Sequence, residues 1–242
     1  MEFYRLNTLT SQECRDLGVP DEYWFTARPL KAAEEYNPNR HLAWAISLFR
    51  MRVRLIHDVD ALIVVGGKEG ESWGRFPGIA EEVMLAIAMN KPVYVLGGSP
   101  AQPGGAAREV GRLLGMGAVI ANPDTCFRDV SPIGPALDRK YADSFALPGH
   151  PDLPKTLSEL RSYLFQRYPG SEGWTWNGLT PSQNRALFCE DTSGSTDHEP
   201  IVDLILKGLD RLTWKEDRDG MSASRPASIV EDGRRVRHDR LG

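Results

Sequence analysis

The sequence predicts an α/β fold, a parallel sheet flanked by helices with a helical C-terminal portion, and three observations predict it. Two short apolar runs, ALIVV at 61–65 and VYVL at 93–96, are rich in β-branched residues and end in the glycine pairs Gly66, Gly67 and Gly97, Gly98. Unbroken apolar runs of this kind read as strands buried on both faces. Helix-period sequence precedes the first run, separates the two and follows the second, which is the βαβ pattern of a Rossmann-like sheet.

Residues 1–36 open with a short strand at Phe3–Leu6, then Thr10 and Glu13 in capping-box spacing at the start of a short helix. The cluster Tyr23, Trp24, Phe25 reads as packing. Asn37 as N-cap and Pro38 in the first turn start a longer helix, in which Leu42, Ala45, Ile46, Phe49, Val53 and Ile56 recur at helical spacing through about His57. After the first strand and its glycines, EEVMLAIAMN is helical. Lys91 and Pro92 lead into the second strand, and a helix follows from Ala106 to Leu114. AVIAN at 118–122 adds a further strand. Three helices fill 150–213: Leu157–Tyr168, one starting at Thr180, Pro181 and Gln183, and Ile201–Leu212. Residues 1–213 thus read as one domain with its core at about 37–125. Residues 214–242 are charged, lack apolar periodicity and read as a disordered tail.

Composition narrows the function. A chain of 242 residues, 41% hydrophobic and 26% charged, has the profile of a water-soluble globular protein. A net charge of −4 provides no general field for nucleic acid or anionic lipid, so bulk nucleic-acid binding is not expected. The start MEFYRLNTLTSQE lacks the pattern of a signal peptide, and no apolar run approaches the roughly 20 residues of a membrane span. A cytoplasmic protein without membrane partners is expected. Cys14, Cys126 and Cys189 lie far apart, with no CxxC, and read as reduced thiols. His41, His57, His150, His198 and His238 form neither HExxH nor HxxxH, and GxGxxG and GxxxxGK[ST] are absent. Neither a metal nor a resident cofactor is expected.

Both glycine loops occupy the carboxyl edge of the sheet, where ligands of open parallel sheets bind. Gly66 and Gly67 let backbone approach a ligand closely, and the helix start at Pro77 and Gly78 offers unpaired N–H groups, which together make an anion cradle. Gly97, Gly98, Gly104 and Gly105 form a second cradle, beside a helix carrying Arg108. Within the intervening KEGESWGRF, Lys68 and Arg75 are candidate phosphate ligands and Trp73 a base-stacking surface. Glu81 and Glu82 lie in the first helical turn, which carboxylates favour by roughly 0.3–1 kcal/mol each. A carboxylate at this edge also suits ribose hydroxyls, or an oxocarbenium-like centre during N-glycosidic cleavage.

DALIVVGG, PGIAEEVMLAI and KPVYVLGG resemble the SLOG superfamily, which contains the LOG-type phosphoribohydrolases (also called lysine decarboxylase-like) and nucleotide-sensing domains of TRPM channels and prokaryotic defence systems. The resemblance covers roughly residues 40–120. It places Gly66 and Gly67 at the glycine pair of the LOG motif and Gly78–Glu82 at its GTxxE, with Glu82 as the catalytic glutamate. Ile79 stands in place of the threonine, and KEGESWGRF splits the motif. LOG enzymes use an arginine from the preceding helix, for which Arg50 and Arg52 are both candidates. The split motif, GGAAREV and the late NGLTPSQN look more like the prokaryotic sensor branch. The resemblance therefore implies a sensor or regulatory module for an NAD- or ADP-ribose-like nucleotide in antiviral defence. A nucleotide N-glycosidase and a ligand-free structural domain remain open alternatives. No earlier strand with its own glycine loop is readable in 1–36, which leaves open a divergent minimal form, a C-terminal portion, or half of a site completed by a partner chain; a homo-oligomer through sheet-covering helices or such a partner is expected.

Overall fold

The structure is a computed structural model that describes residues 9–18, 38–68, 74–97, 105–117, 122–127, 142–167, 177–189 and 199–219. Its elements are α1 (Ser11–Asp16), α2 (Pro38–Asp58), β1 (Leu62–Val65), α3 (Gly78–Ala88), β2 (Val93–Leu96), α4 (Gly105–Leu113), α5 (Leu157–Gln166), α6 (Pro181–Cys189) and α7 (Glu199–Asp219). Single 3-10 turns lie at Pro123–Thr125 and Ala142–Phe145. The strands Phe3–Leu6 and 118–122, the Tyr23–Phe25 cluster and the Asn37 cap fall wholly or mainly outside the described residues. Of the AVIAN segment only Asn122 is described, and its side chain caps Asp124 N at 2.8 Å to open the turn that follows.

The local signals acted as the sequence implied. Thr10 Oγ1 accepts from Glu13 N and Thr10 N donates to Glu13 Oε2, closing the capping box of α1. The same box recurs at Thr156 and Glu159 ahead of α5. Thr180 and Gln183 reproduce it at the start of α6, at 3.3 and 3.0 Å. α3 ends where Asn90 adopts a left-handed φ of 56° and Lys91 N returns to Ala86 O. α7 runs on to Asp219, through the charged residues beyond 213 where composition had placed the start of the tail.

β1 and β2 pair in parallel, Leu62 opposite Val93 through Val65 opposite Leu96. Val64, Val93 and Val95 face the larger core, built with Leu42, Ile46 and Phe49 of α2, Val83 and Met84 of α3, Val110 and Leu113 of α4, and Leu160 and Leu164 of α5. Tyr94 faces a second core of Leu179 just ahead of α6, Leu187 of α6, and Ile201 and Ile205 of α7. Helices therefore cover both faces of the sheet, the α/β arrangement of a Rossmann-like domain with a helical C-terminal portion. One expectation is corrected: β2 is buried on both faces but β1 is not, with Ile63 51% and Val65 61% exposed. The physical reason is that the second layer sits over β2, where Asn177 Nδ2 donates to Val93 O at 3.0 Å and Tyr94 donates to Asn177 O at 2.9 Å. Among the described residues no helix is long and apolar enough to cross a membrane.

Candidate functional site

Three charged side chains from two helices meet where α3 begins. α2 packs against α3, and its Arg52, on the flank of the buried stripe Leu42, Ile46, Phe49 and Ile56, is directed at the first turn of α3. Arg52 Nη1 donates to Glu81 Oε2, and Arg52 Nε donates to Glu82 Oε1 at 3.3 Å. Arg50, two residues earlier, turns the other way and pairs with Glu13 of α1 at 2.8 Å. Of the two arginine candidates, then, Arg52 lies beside Glu81 and Glu82 and Arg50 does not.

The two glutamates occupy different environments. Glu81 is wholly buried, while the Glu82 side chain keeps 21% of its exposure. Burial pushes Glu81 up to about 7, opposed by Arg52 and then by Arg75, with Glu82 adding to the rise. The ion pair with Arg52 favours the carboxylate and the desolvation favours the acid. Desolvation of the wholly buried group is the larger effect, and Glu81 Oε1 has no hydrogen-bond partner among the described residues. A buried carboxyl beside a partly open one gives this turn groups suited to holding a proton and to meeting a ligand.

The two glycine loops are joined. Gly66 and Gly67 adopt φ of +62° and +84°, which turns their carbonyls towards α4. Ala106 N donates to Gly67 O at 3.1 Å and Ala107 N to Gly66 O at 2.8 Å. Two amides in the first turn of α4, next to the Gly105 of the expected second cradle, are thus taken by protein carbonyls. Gly105, φ +57°, is required by that approach, since a Cβ there would collide with the Gly67 carbonyl. Gly97 has a packing role: its N–H donates to Phe188 O at 3.1 Å, and the Phe188 ring fills a slot bounded by Gly97, Gly111 and Gly117. Arg108 Nε donates to Gly97 O at 3.2 Å.

The start of α3 is more open. Pro77, its N-cap residue, is buried and no side chain caps the helix. A Cβ on Gly66 would meet open space, and Gly67 and Lys68 are exposed. A Cβ on Gly78 would sit 2.7 Å from Arg52 Nη2, so the missing side chain is what admits the guanidinium. Arg75 is buried, donates to Lys155 O at 2.5 Å and lies 4.8 and 5.5 Å from the ring centres of Phe145 and Phe76. It anchors the segment that enters α3. Trp73, Gly98 and Gly104 lie outside the described residues. Among the described residues no group of His, Cys, Asp and Glu is placed to hold a metal ion.

A family model described as SLOG cluster2 matches residues 4–187. The chain belongs to the SLOG cluster2 family. The match spans both glycine loops, Arg52, Glu81, Glu82 and most of α6, so the late NGLTPSQN segment, whose Asn177 and Asn184 bond to each other beneath β2, is part of the SLOG unit. Membership and fold together make this a nucleotide-related Rossmannoid domain. No curated protein and no solved structure matches the chain.

The sequence offers Arg52 and Glu81 as separate candidates, and only the fold makes them a buried pair and sets the first glycine loop as a cap on α4. Such contacts join residues about 30 to 40 positions apart and leave no local periodic signal. Phe188 was not singled out at all, although Gly97, Gly111 and Gly117 all make room for it.

Proposed function

We propose that this SLOG domain binds a nucleotide-derived ligand of the NAD or ADP-ribose kind and acts as a sensor or regulatory module. The observation that carries the reading is the uncapped start of α3, with Gly78 against Arg52, beside the open Gly66–Lys68 turn. Backbone N–H groups, a helix dipole and a guanidinium converging at the end of a parallel strand suit a phosphate or pyrophosphate. The ligand set is Gly66, Gly67, Lys68, Pro77, Gly78, Arg52 and Glu82, with Glu82 on ribose hydroxyls. Calorimetry with ADP-ribose and NAD is expected to give saturable heat, and Arg52→Ala to weaken binding at least tenfold. Absence of heat with both compounds overturns the reading.

A second reading, a LOG-like N-glycosidase, is favoured by one contact, Arg52 Nε at 3.3 Å from Glu82. Its expected outcome is release of free base from AMP or NAD that falls at least tenfold in Glu82→Gln. Unchanged release places the chemistry elsewhere. A role in prokaryotic antiviral signalling in the cytoplasm, with a second copy or a partner chain completing the site, belongs to the same proposal. Light scattering with and without ADP-ribose tests the oligomer.

A further inference from the structure

Arg52 is held in a place that the helix dipole alone would not choose. Its guanidinium lies against Gly78, the first residue of α3, where the helix dipole presents its positive end. What holds it are two carboxylates of the same helix, Glu81 on Nη1 and Glu82 on Nε. The two are not equivalent. Glu82 reaches solvent, whereas Glu81 is wholly buried, with Oε1 unpartnered among the described residues. A buried carboxylate with one unsatisfied oxygen is costly to keep charged, and its charge is the grip on Nη1.

We propose that Glu81 is a positioning residue that latches the site by proton: ionised, it holds the Arg52 guanidinium on α3, and on taking a proton from solvent it releases Nη1 to an incoming phosphate at Gly78. The proposal rests on the nucleotide-binding reading for the identity of the anion. The proton passes from a solvent hydronium to the Glu81 carboxylate, forming its O–H bond and leaving water, the ion pair with Nη1 is exchanged for one with the phosphate, and no other covalent bond changes. Anion capture and proton uptake are then linked, each favouring the other.

The charged groups acting on Glu81 are Arg52 from α2, Arg75 from the segment entering α3 and Glu82 from α3 itself. The arginines favour the carboxylate, while burial and Glu82 favour the acid. Burial is the largest of these effects and places the titration near neutrality, at about 7. The latch would therefore work within the range of cellular pH.

Two measurements on the full chain test this. In the ligand-free protein, the carboxyl carbon of Glu81 and the Nε resonance of Arg52 are followed by NMR from pH 5 to 9. Both are expected to shift together with a midpoint well above that of exposed glutamates, and the Arg52 shift to vanish in Glu81→Gln. A Glu81 that titrates like an exposed carboxyl, or an Arg52 signal indifferent to it, overturns the latch. Calorimetry with ADP-ribose in buffers of different ionisation enthalpy is then expected to show uptake of up to one proton. Wild-type affinity should fall by up to about tenfold per pH unit above neutrality, and Glu81→Gln should remove that slope. An identical slope in wild type and Glu81→Gln overturns the coupling. No heat at any pH, with Glu81 and Arg52 still titrating together, overturns the nucleotide reading and leaves the positioning role standing.

Discussion

The starts of α3 and α4 are written in nearly the same local language, a β-strand, a glycine pair, an intervening segment and a helix, yet the chain uses them differently. At α4 the amides of Ala106 and Ala107 are satisfied by the carbonyls of Gly67 and Gly66, and Gly105 is fixed by the closeness of that contact. At α3 no side chain caps the helix, and an arginine from α2 occupies the space beside Gly78. The same dipole is answered in one case by the protein's own backbone and in the other by charged side chains, one of which is partly open to solvent. A glycine loop is therefore not a ligand site by itself. What it can offer depends on whether backbone carbonyls or side chains meet the helix start it faces.

Substitutions can break this contrast. The largest effect is expected from Gly105→Ala, which places a Cβ into the Gly67 carbonyl at a left-handed φ of +57°. The loss should be about 3 kcal/mol or more in urea unfolding, because backbone on both sides must move. A loss below about 1 kcal/mol would mean that the two loops are not locked together. Next comes the pH dependence of Glu81. Its folded value, raised to about 7 from the ordinary 4.5, means that between those values the folded chain holds more proton than the unfolded one. The contribution of this group is thus fully present below about pH 4.5 and is lost as pH rises through about 7. Wild type should lose more stability than Glu81→Gln between pH 5 and 8, and equal losses would show that Glu81 titrates normally.

Gly66→Ala sharpens the contrast from the other side. Its φ is also left-handed, at +62°, but a Cβ there meets open space, so only backbone strain is incurred, about 1 kcal/mol. A loss comparable to that of Gly105→Ala would contradict the openness of the first loop. The smallest effect is expected for Arg50→Ala. Its pair with Glu13 is exposed by more than a third on both sides and should contribute no more than about 0.5 kcal/mol. ADP-ribose binding should be indifferent to this substitution, in contrast with Arg52→Ala, and equal losses in both would return Arg50 to the site.

Much of the frame was legible because its signals are local. β-branched runs, helical spacing from Leu42 to Ile56, the capping box at Thr10 and the helix start at Thr180 need only near neighbours along the chain to act. The choice between Arg50 and Arg52 was not legible in the same way. The two differ by roughly 200° around a helix, and only the docking of α2 on α3 decides which one faces Glu81 and Glu82. The exposure of β1 was misread because an apolar run states what a strand can bury, not what will cover it, and the second helical layer lies over Tyr94 of β2.

By itself, the sequence determined the SLOG-type βαβ core, its carboxyl edge and the residue types available there. It did so through short-range propensity and periodicity, which act before any long-range contact forms. Only the tertiary structure decided which donors the protein itself takes up. Gly66 and Gly67 lie about 40 residues from the amides they satisfy, and Arg52 about 30 from the carboxylates that hold it. A group's availability depends on who its neighbours are in space, and no local pattern records them.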